Sequence, residues 1–232
     1  MVLDLVAETT DEQARVYQCI DDLTSYIVDN DLYYLDVGGE PTKWGRWNPA
    51  DLNDNADFYS ERGLNSLEIL AYLALGYSVT GKDEFLSQFQ SLTEKHGYYD
   101  NALNQKIDNP FEDNHSDNEL GHMAYHTLFY SLYRLQYAID HEKLPYLVKD
   151  VSVLMARRDT LLAMTTPLVP SLQRWWSIVK HERSPLWLSV VAGAGGVPVS
   201  EETLRRAVES LRLYSADLIN WSVHNSGTAN IT

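Results

Sequence analysis

Residues 61–85, ERGLNSLEILAYLALGYSVTGKDEF, indicate the fold class of this chain. Its middle part, residues 64–80, predicts a helix that is apolar on nearly every side, and such a helix is buried against several neighbours. The apolar positions on these faces are Leu67, Leu70, Ala71, Ala74 and Leu75. Gly81 ends this helix, and residues 82–95 predict an amphipathic partner helix. Two helices joined by so short a turn form a helical hairpin.

Further helices are predicted on both sides of this hairpin. Thr10 and Gln13 have the spacing of a capping box and begin a helix that continues to about Ile27. Its buried stripe is predicted to contain Val16, Ile20, Leu23 and Ile27. The helices predicted after the hairpin cover residues 116–139, 144–164, 171–181 and 200–214. Because strand patterns are nearly absent, we predict an all-α fold built from helical hairpins, in a single domain over residues 1–232.

Composition limits the classes of function. The 232 residues contain 18 Lys and Arg against 33 Asp and Glu, which gives a formal net charge of −15, and 44% of them are hydrophobic. The apolar fraction is that of a globular protein, and the charge argues against nucleic acid as a partner. Because no window approaches the roughly 18 consecutive apolar residues of a membrane span, we expect no membrane partner. We see no signal peptide at residues 1–4, so the compartment stays open.

Two Asx-rich segments are predicted as loops, residues 29–57 and residues 100–114. A loop longer than about 12–15 residues is usually functional or disordered, and the tryptophans of the first segment argue against disorder. Trp44 and Trp47 with Arg46 suit a sugar ring, because aromatic faces cover its C–H face while polar groups bind its hydroxyls. The alternative is a hydrophobic plug that folds the loop onto the core.

The segment from Asp51 to Asp57 carries oxygen ligands at alternate positions, as the start of a calcium loop does. Ala56 stands where an EF-hand has glycine, and Arg62 stands where it has a bidentate glutamate. Helix capping by these Asx side chains is the alternative that we prefer, so the prediction is that the protein has no resident metal or cofactor.

Glu61, Asn65 and Glu68 form a polar stripe on the apolar helix of residues 64–80, at positions i, i+4 and i+7. Buried carboxylates are costly unless they are paired or face a wet cavity. The stripe therefore lines a cleft or lies at the exposed start of the helix, and Arg62 is a candidate partner for one of the carboxylates.

A second polar stripe follows the start of the helix predicted at residues 116–139. It contains Glu119, His122, His126, Tyr130 and Tyr133, while Leu120, Met123, Leu128, Leu132 and Leu135 are predicted to face neighbouring helices. Two histidines at i, i+4 suit Zn²⁺, with His115 or Asp117 as a further ligand, although the HExxH order is absent. Glu119 also completes a capping box with Ser116. Of these alternatives, we favour the wall of a pocket.

Carboxylates near these clusters are candidates for glycoside hydrolysis, which needs an acid and a carboxylate facing each other across a cleft. We predict Asp54, Glu61 and Asp117 as catalytic residues. The predicted substrate-binding residues are Trp44, Arg46, Trp47, Asn65, His115, Glu119, His122, His126 and Trp187. The alternative for Trp187 is the end of a helix stopped by Pro185.

The hairpin pattern Leu-x-x-Leu-Ala-Tyr followed by Tyr-x-x-Thr-Gly-Lys-Asp-Glu-Phe resembles the six-hairpin (α/α)-toroid superfamily of glycoside hydrolases and polysaccharide lyases. The resemblance covers roughly residues 40–140, where aromatic and acidic residues precede the helix starts, as they do around the cleft of that superfamily. It implies a carbohydrate ligand and an (α/α) toroid. A complete toroid has twelve helices and needs over roughly 300 residues. This chain has about seven or eight predicted helices, so we expect a partial or short toroid, or one that closes as a homodimer.

Three functions follow from these patterns. The first is a carbohydrate-active enzyme of the glycoside hydrolase type. A lyase acting on uronates is less favoured, because the many acids of the two Asx-rich segments would repel a negatively charged sugar. The second is a non-catalytic module that binds carbohydrate or another protein. The third is a metal-dependent hydrolase that uses His115, His122 and His126.

Overall fold

The computed structural model describes residues 7, 9–109, 116–141, 148, 150–180 and 199–213. The described chain is mostly helical, as predicted, with one small β-hairpin. Its elements in chain order are α1 (Thr10–Asp29), β1 (Tyr33–Leu35), β2 (Pro41–Arg46), α2 (Pro49–Leu52), α3 (Arg62–Thr80), α4 (Asp83–His96), α5 (Tyr98–Leu103), α6 (Ser116–Asp140), α7 (Val151–Thr165), α8 (Val169–Val179) and α9 (Glu201–Leu213), with short 3₁₀ turns at Ala56–Phe58 and Thr166–Leu168. Within the described residues, no helix has both the length and the apolar character that crossing a membrane requires.

Helix α3 lies at the centre of the fold, as its composition predicts. It packs against α1, α4, α5, α6 and α7, and nearly all of its apolar side chains are buried. Gly81 ends the helix in the left-handed region, with φ of 71°, and Lys82 leads directly into α4. The face of α4 toward α3 is formed by Phe85, Phe89 and Leu92, all of them buried. The predicted helical hairpin is therefore present.

Helix α1 begins one residue earlier than the sequence suggested. Thr9 is its N-cap, and Thr9 and Glu12 form the capping box, not Thr10 and Gln13. Tyr17, Ile20, Thr24 and Ile27 form the buried stripe. Leu23 was predicted to be buried but is 53% exposed, because it lines an open groove formed by residues of α1 and α3.

The two segments predicted as loops contain regular structure, which corrects that prediction. In the first, β1 and β2 form an antiparallel pair with Tyr33 opposite Arg46. The Asp36 carboxylate closes their turn by accepting from the backbone amides of Gly38 and Glu40. In the second, residues 98–103 form α5. The strand pattern was missed because the strands are short and one begins with proline, which favours turns in sequence patterns.

Helix α6 crosses the centre of the fold along α3. Leu128 and Leu135 are buried as predicted, whereas Leu120 and Met123 are exposed, which corrects their assignment to a packed face. Leu120 is exposed because it borders an open cavity instead of a neighbouring helix, whereas Met123 lies outside that lining. Further along, the buried Arg134 guanidinium donates to the Ser78 carbonyl of α3 and to the Tyr17 hydroxyl of α1, and so joins three helices.

Helices α7 and α8 complete the core. Helix α7 begins at Val151 after its N-cap Asp150 and packs against α3 and α6. Helix α8 buries Trp175 and Trp176 and packs against α5. Helix α9 is N-capped by Ser200, whose hydroxyl accepts from the Thr203 amide at 3.1 Å.

Candidate functional site

An open cavity of about 780 Å³ lies where the β-hairpin meets the first turns of α3 and α6. Four parts of the chain line it: the hairpin with the residue after it, α3, the segment after α5, and α6. Its lining residues are Tyr34, Thr42, Trp44, Gly45, Trp47, Glu61, Leu64, Asn65, Glu68, Lys106, Asp117 and Leu120. The cavity is therefore built from both predicted loops and from both helix starts that the sequence singled out.

The two tryptophans of the hairpin segment have different roles. Trp47 is 7% exposed, its ring meets Tyr72 edge-on with centroids 5.6 Å apart, and its carbonyl accepts from the Tyr98 hydroxyl at 2.6 Å. Trp44 is 61% exposed, with the Lys43 ammonium 4.2 Å from its ring centroid. Trp47 is thus the plug that fixes the hairpin on the core, and Trp44 is an exposed ring at the cavity.

Glu68 lies about two turns further along α3 than Glu61, the residue that precedes the helix. Its carboxylate accepts from the Trp47 indole Nε1 at 3.1 Å. Burial raises the pKa of Glu68 above its usual value, and the neighbouring Glu61 and Asp117 carboxylates raise it further. The hydrogen bond from Trp47 opposes this shift but does not cancel it. Glu68 therefore retains a proton to a higher pH than an ordinary glutamate.

Asp117 reaches the cavity from the first turn of α6 and is held by a lysine. Lys106 Nζ lies 2.9 Å from Asp117 and 3.1 Å from Asp108. Hydrogen bonds to these two carboxylates raise the pKa of Lys106 above its usual range, so this ammonium stays charged at neutral pH. Asp117 thus faces the cavity as one partner of an ion pair, while Glu68 faces it from a buried position.

The hairpin is held against α3 by Asn65. Its side-chain amide donates to the carbonyls of Arg46 at 2.9 Å and of Trp44 at 3.3 Å. The Arg46 side chain stays within the hairpin region, where it pairs with Asp51 at 3.0 Å and donates to the Thr42 carbonyl. Asn65 and Arg46 therefore position the cavity wall, and the Arg46 guanidinium is directed away from a ligand.

The structure brings together part of the predicted site. Trp44, Trp47, Glu61, Asn65 and Asp117 line one cavity, whereas Asp54 is exposed in a turn outside it. Glu119 is exposed on another side of α6, and His122 and His126 are also outside the lining. The physical reason is helical periodicity: Asp117 and Leu120 lie on the cleft side of α6, and the predicted polar stripe lies on a different side. His115 and Trp187 lie outside the described residues.

The polar stripe of α6 forms a ladder of rings along the helix. His122 and His126 have ring centroids 6.0 Å apart, and His126 stacks on Tyr130 at 6.1 Å. Burial, with a smaller contribution from His126, lowers the pKa of His122 to about 4, and burial also lowers the pKa of His126. Both imidazoles are therefore neutral at neutral pH and pack as aromatic rings.

Within the described part of the chain, no group of three or more His, Cys, Asp or Glu side chains is arranged to hold a metal ion. The Asx side chains of residues 51–57 point to separate partners. Asp51 pairs with Arg46, the Asn53 amide donates to the His96 carbonyl, and Asn55 caps the following 3₁₀ turn. Of these three side chains, Asn55 makes the kind of capping contact that the sequence suggested.

Glu68, Lys106 and Tyr34 line the cavity but were not among the predicted site residues. Glu68 was recognised as part of the polar stripe with Glu61 and Asn65, and its helical spacing was a sufficient signal to include it. Lys106 and Tyr34 had no signal of their own, because each reaches the cavity only through a contact between distant segments. The Arg62 guanidinium, a predicted partner of the acids, instead donates to the carbonyls of Leu52 and Asn53.

The chain matches no protein-family model, no curated protein and no solved structure.

Proposed function

We propose that this chain is a carbohydrate-active enzyme of the glycoside hydrolase type, with its active site in the cavity between the hairpin, α3 and α6. The observation that carries the proposal is that carboxylates from two helices, Glu68 and Asp117, line one cavity beside an exposed tryptophan. The proposal includes a partial (α/α) toroid, which is supported by the position of the cavity at helix starts and their preceding segments.

In this mechanism Glu68 is the general acid. It transfers its proton to the glycosidic oxygen as the bond from that oxygen to the anomeric carbon breaks. A raised pKa suits this role because a general acid must carry its proton when the substrate is bound. The Trp47 indole positions the carboxyl group through its hydrogen bond of 3.1 Å.

Asp117 is the second carboxylate. In one alternative the Asp117 carboxylate attacks the anomeric carbon directly. In the other it accepts a proton from a water molecule, and that water attacks the anomeric carbon. Lys106 holds Asp117 in place through the ion pair. Trp44 supplies an exposed ring on which a pyranose stacks by its C–H face, and Tyr34 borders the same cavity.

The test is hydrolysis of a panel of polysaccharides and oligosaccharides, measured as released reducing ends. We expect Glu68→Gln and Asp117→Asn each to lower the rate by about 100-fold or more, the usual contribution of a general acid or base. Glu40→Gln removes an exposed carboxylate from the hairpin turn and is the matched control with unchanged rate. Full activity in both Glu68→Gln and Asp117→Asn would contradict the assignment.

A non-catalytic carbohydrate-binding module is the second candidate, favoured by the fact that Trp44 is exposed independently of the acids. In that case the wild-type protein binds oligosaccharides without hydrolysing any of them. Binding is then unchanged by Glu68→Gln and Asp117→Asn and is lost in Trp44→Ala.

A further inference from the structure

Among the described residues that line the cavity, the acids outnumber the cations. Glu61, Glu68 and Asp117 line it, and Lys106 is the one Lys or Arg in this described lining. That lysine is already shared between Asp108 and Asp117. Among the residues that the structure describes, no Lys, Arg or His nitrogen forms an ion pair with Glu61 or Glu68. Within the described part of the chain, Glu61 is therefore a carboxylate of the cavity with no ion-pair partner.

Glu61 is the more accessible of these two acids. It is the residue before the first turn of α3 and is half-buried, and its carboxylate accepts from the neighbouring Ser60 hydroxyl at 2.9 Å. The adjacent Arg62 is committed to backbone carbonyls and lies over the Tyr59 ring. Glu61 is thus a carboxylate at the cavity rim that is open to a cationic group of a ligand.

The exposed ring of Trp44 provides an independent indication of the same chemistry. The Lys43 ammonium lies 4.2 Å from its centroid, which is the geometry of a cation–π contact. One face of this ring therefore already accommodates an ammonium group. An aromatic ring and a carboxylate that line one cavity are both groups that attract an organic cation.

We propose, on the basis of the proposed function, that the glycan bound here consists of amino sugars whose amines are free and protonated. The ammonium group of one residue pairs with Glu61 while a pyranose ring stacks on Trp44. An N-acetylated sugar lacks this charge, and a uronate is repelled by the acids of the cavity. Glu68 remains available as the general acid, because it lies deeper along α3.

The experiment is calorimetric titration of the wild-type chain with three β-1,4-linked tetrasaccharides that differ at C2. One contains glucosamine with free amines, one N-acetylglucosamine and one glucose. At a pH where the amines are protonated, we expect the free-amine compound to bind about tenfold or more tightly than the other two. Because the added interaction is ionic, raising the salt concentration should reduce this preference.

The variant Glu61→Gln should remove most of the preference while retaining binding of the glucose tetrasaccharide, and Glu40→Gln should retain both. The salt dependence tests the same point in the wild-type chain, without a substitution. Equal binding of the three compounds, or tighter binding of the N-acetylated one, overturns the amine proposal and leaves the proposed function in place. Failure to bind or hydrolyse any of the three, or any member of the broader panel, overturns the proposed function itself.

Discussion

At the scale of single residues, burial gives the side chains of this protein their chemical character. Glu68 and His122 are both titratable groups in poorly solvated positions, and burial disfavours the charged form of each. The consequence is opposite in direction, because the charged form is the deprotonated one for the acid and the protonated one for the imidazole. The pKa of Glu68 is therefore raised, and the pKa of His122 is lowered to about 4.

We predict that His122 makes the fold sensitive to acid. An unfolded chain binds a proton at His122 below about 6.5, its ordinary pKa, while the folded chain does so only below about 4. Between these values the unfolded state binds more protons, so the free energy of unfolding decreases as the pH falls. Across this window His122 lowers the free energy of unfolding by about 3 kcal/mol in total, at 1.36 kcal/mol per pKa unit.

The measurement is urea unfolding at a series of pH values across this window. His122→Gln should flatten the dependence, and His96→Gln, which changes an exposed histidine, should leave it as in the wild type. An unchanged slope in His122→Gln would show that another group is responsible for the acid sensitivity.

At the scale of elements, the start of α3 lies in close backbone contact with the segment after α5. A Cβ atom added at Gly63 would lie 2.2 Å from the Gln105 Cα, whereas one added at Gly76 would lie 2.9 Å from side-chain atoms of Phe85 and Thr24. The first contact is with backbone, so it cannot be relieved by a side-chain rotation. The start of α3, which carries Glu61 and Asn65, is positioned by this contact.

We predict that Gly63→Ala destabilises the protein although alanine is the better helix former by about 1 kcal/mol. Overpacking against backbone typically costs about 1–3 kcal/mol and should exceed this gain. Gly76→Ala is the matched comparison on the same helix and should be less costly, since side chains can adjust. Chemical denaturation measures both, and a Gly63→Ala variant as stable as the wild type would contradict the close approach.

At the scale of the whole molecule, the net charge of −15 is a source of repulsion that the fold must withstand. Part of it is concentrated at the cavity, where the acids of α3 and α6 meet. Ion pairs such as Lys82 with Asp21 offset only some of the acids in the described chain. Screening by salt should therefore act on the stability of the fold.

We predict that raising sodium chloride from about 0.01 M to about 0.15 M, which shortens the Debye length from roughly 30 to 8 Å, raises the Tm by a few degrees. The same change should weaken binding of the free-amine tetrasaccharide, so salt acts in opposite directions on the two measurements. Potassium chloride at equal ionic strength is the control for an ion-specific effect. A Tm that falls with salt would contradict net repulsion.

The all-α fold class could be predicted from the sequence, because the burial and the end of a helix depend on residues that are close together in the chain. The apolar residues on every side of residues 64–80 require a buried helix, and Gly81 supplies the left-handed residue that ends it. The β-hairpin did not follow, because strands of three and six residues with proline at one start carry too little periodicity.

The candidate site divides in the same way. The spacing of Glu61, Asn65 and Glu68 follows from the helical period, so the sequence alone placed them on one side of α3. Which other residues face that side depends on how α3 packs against the hairpin and α6. Only the tertiary structure therefore brings Asp117 to the cavity, pairs Trp47 with Glu68, and turns His122 away. The physical reason is that a periodic pattern defines the face of an element, whereas contacts between distant faces are fixed by the packing of the whole chain.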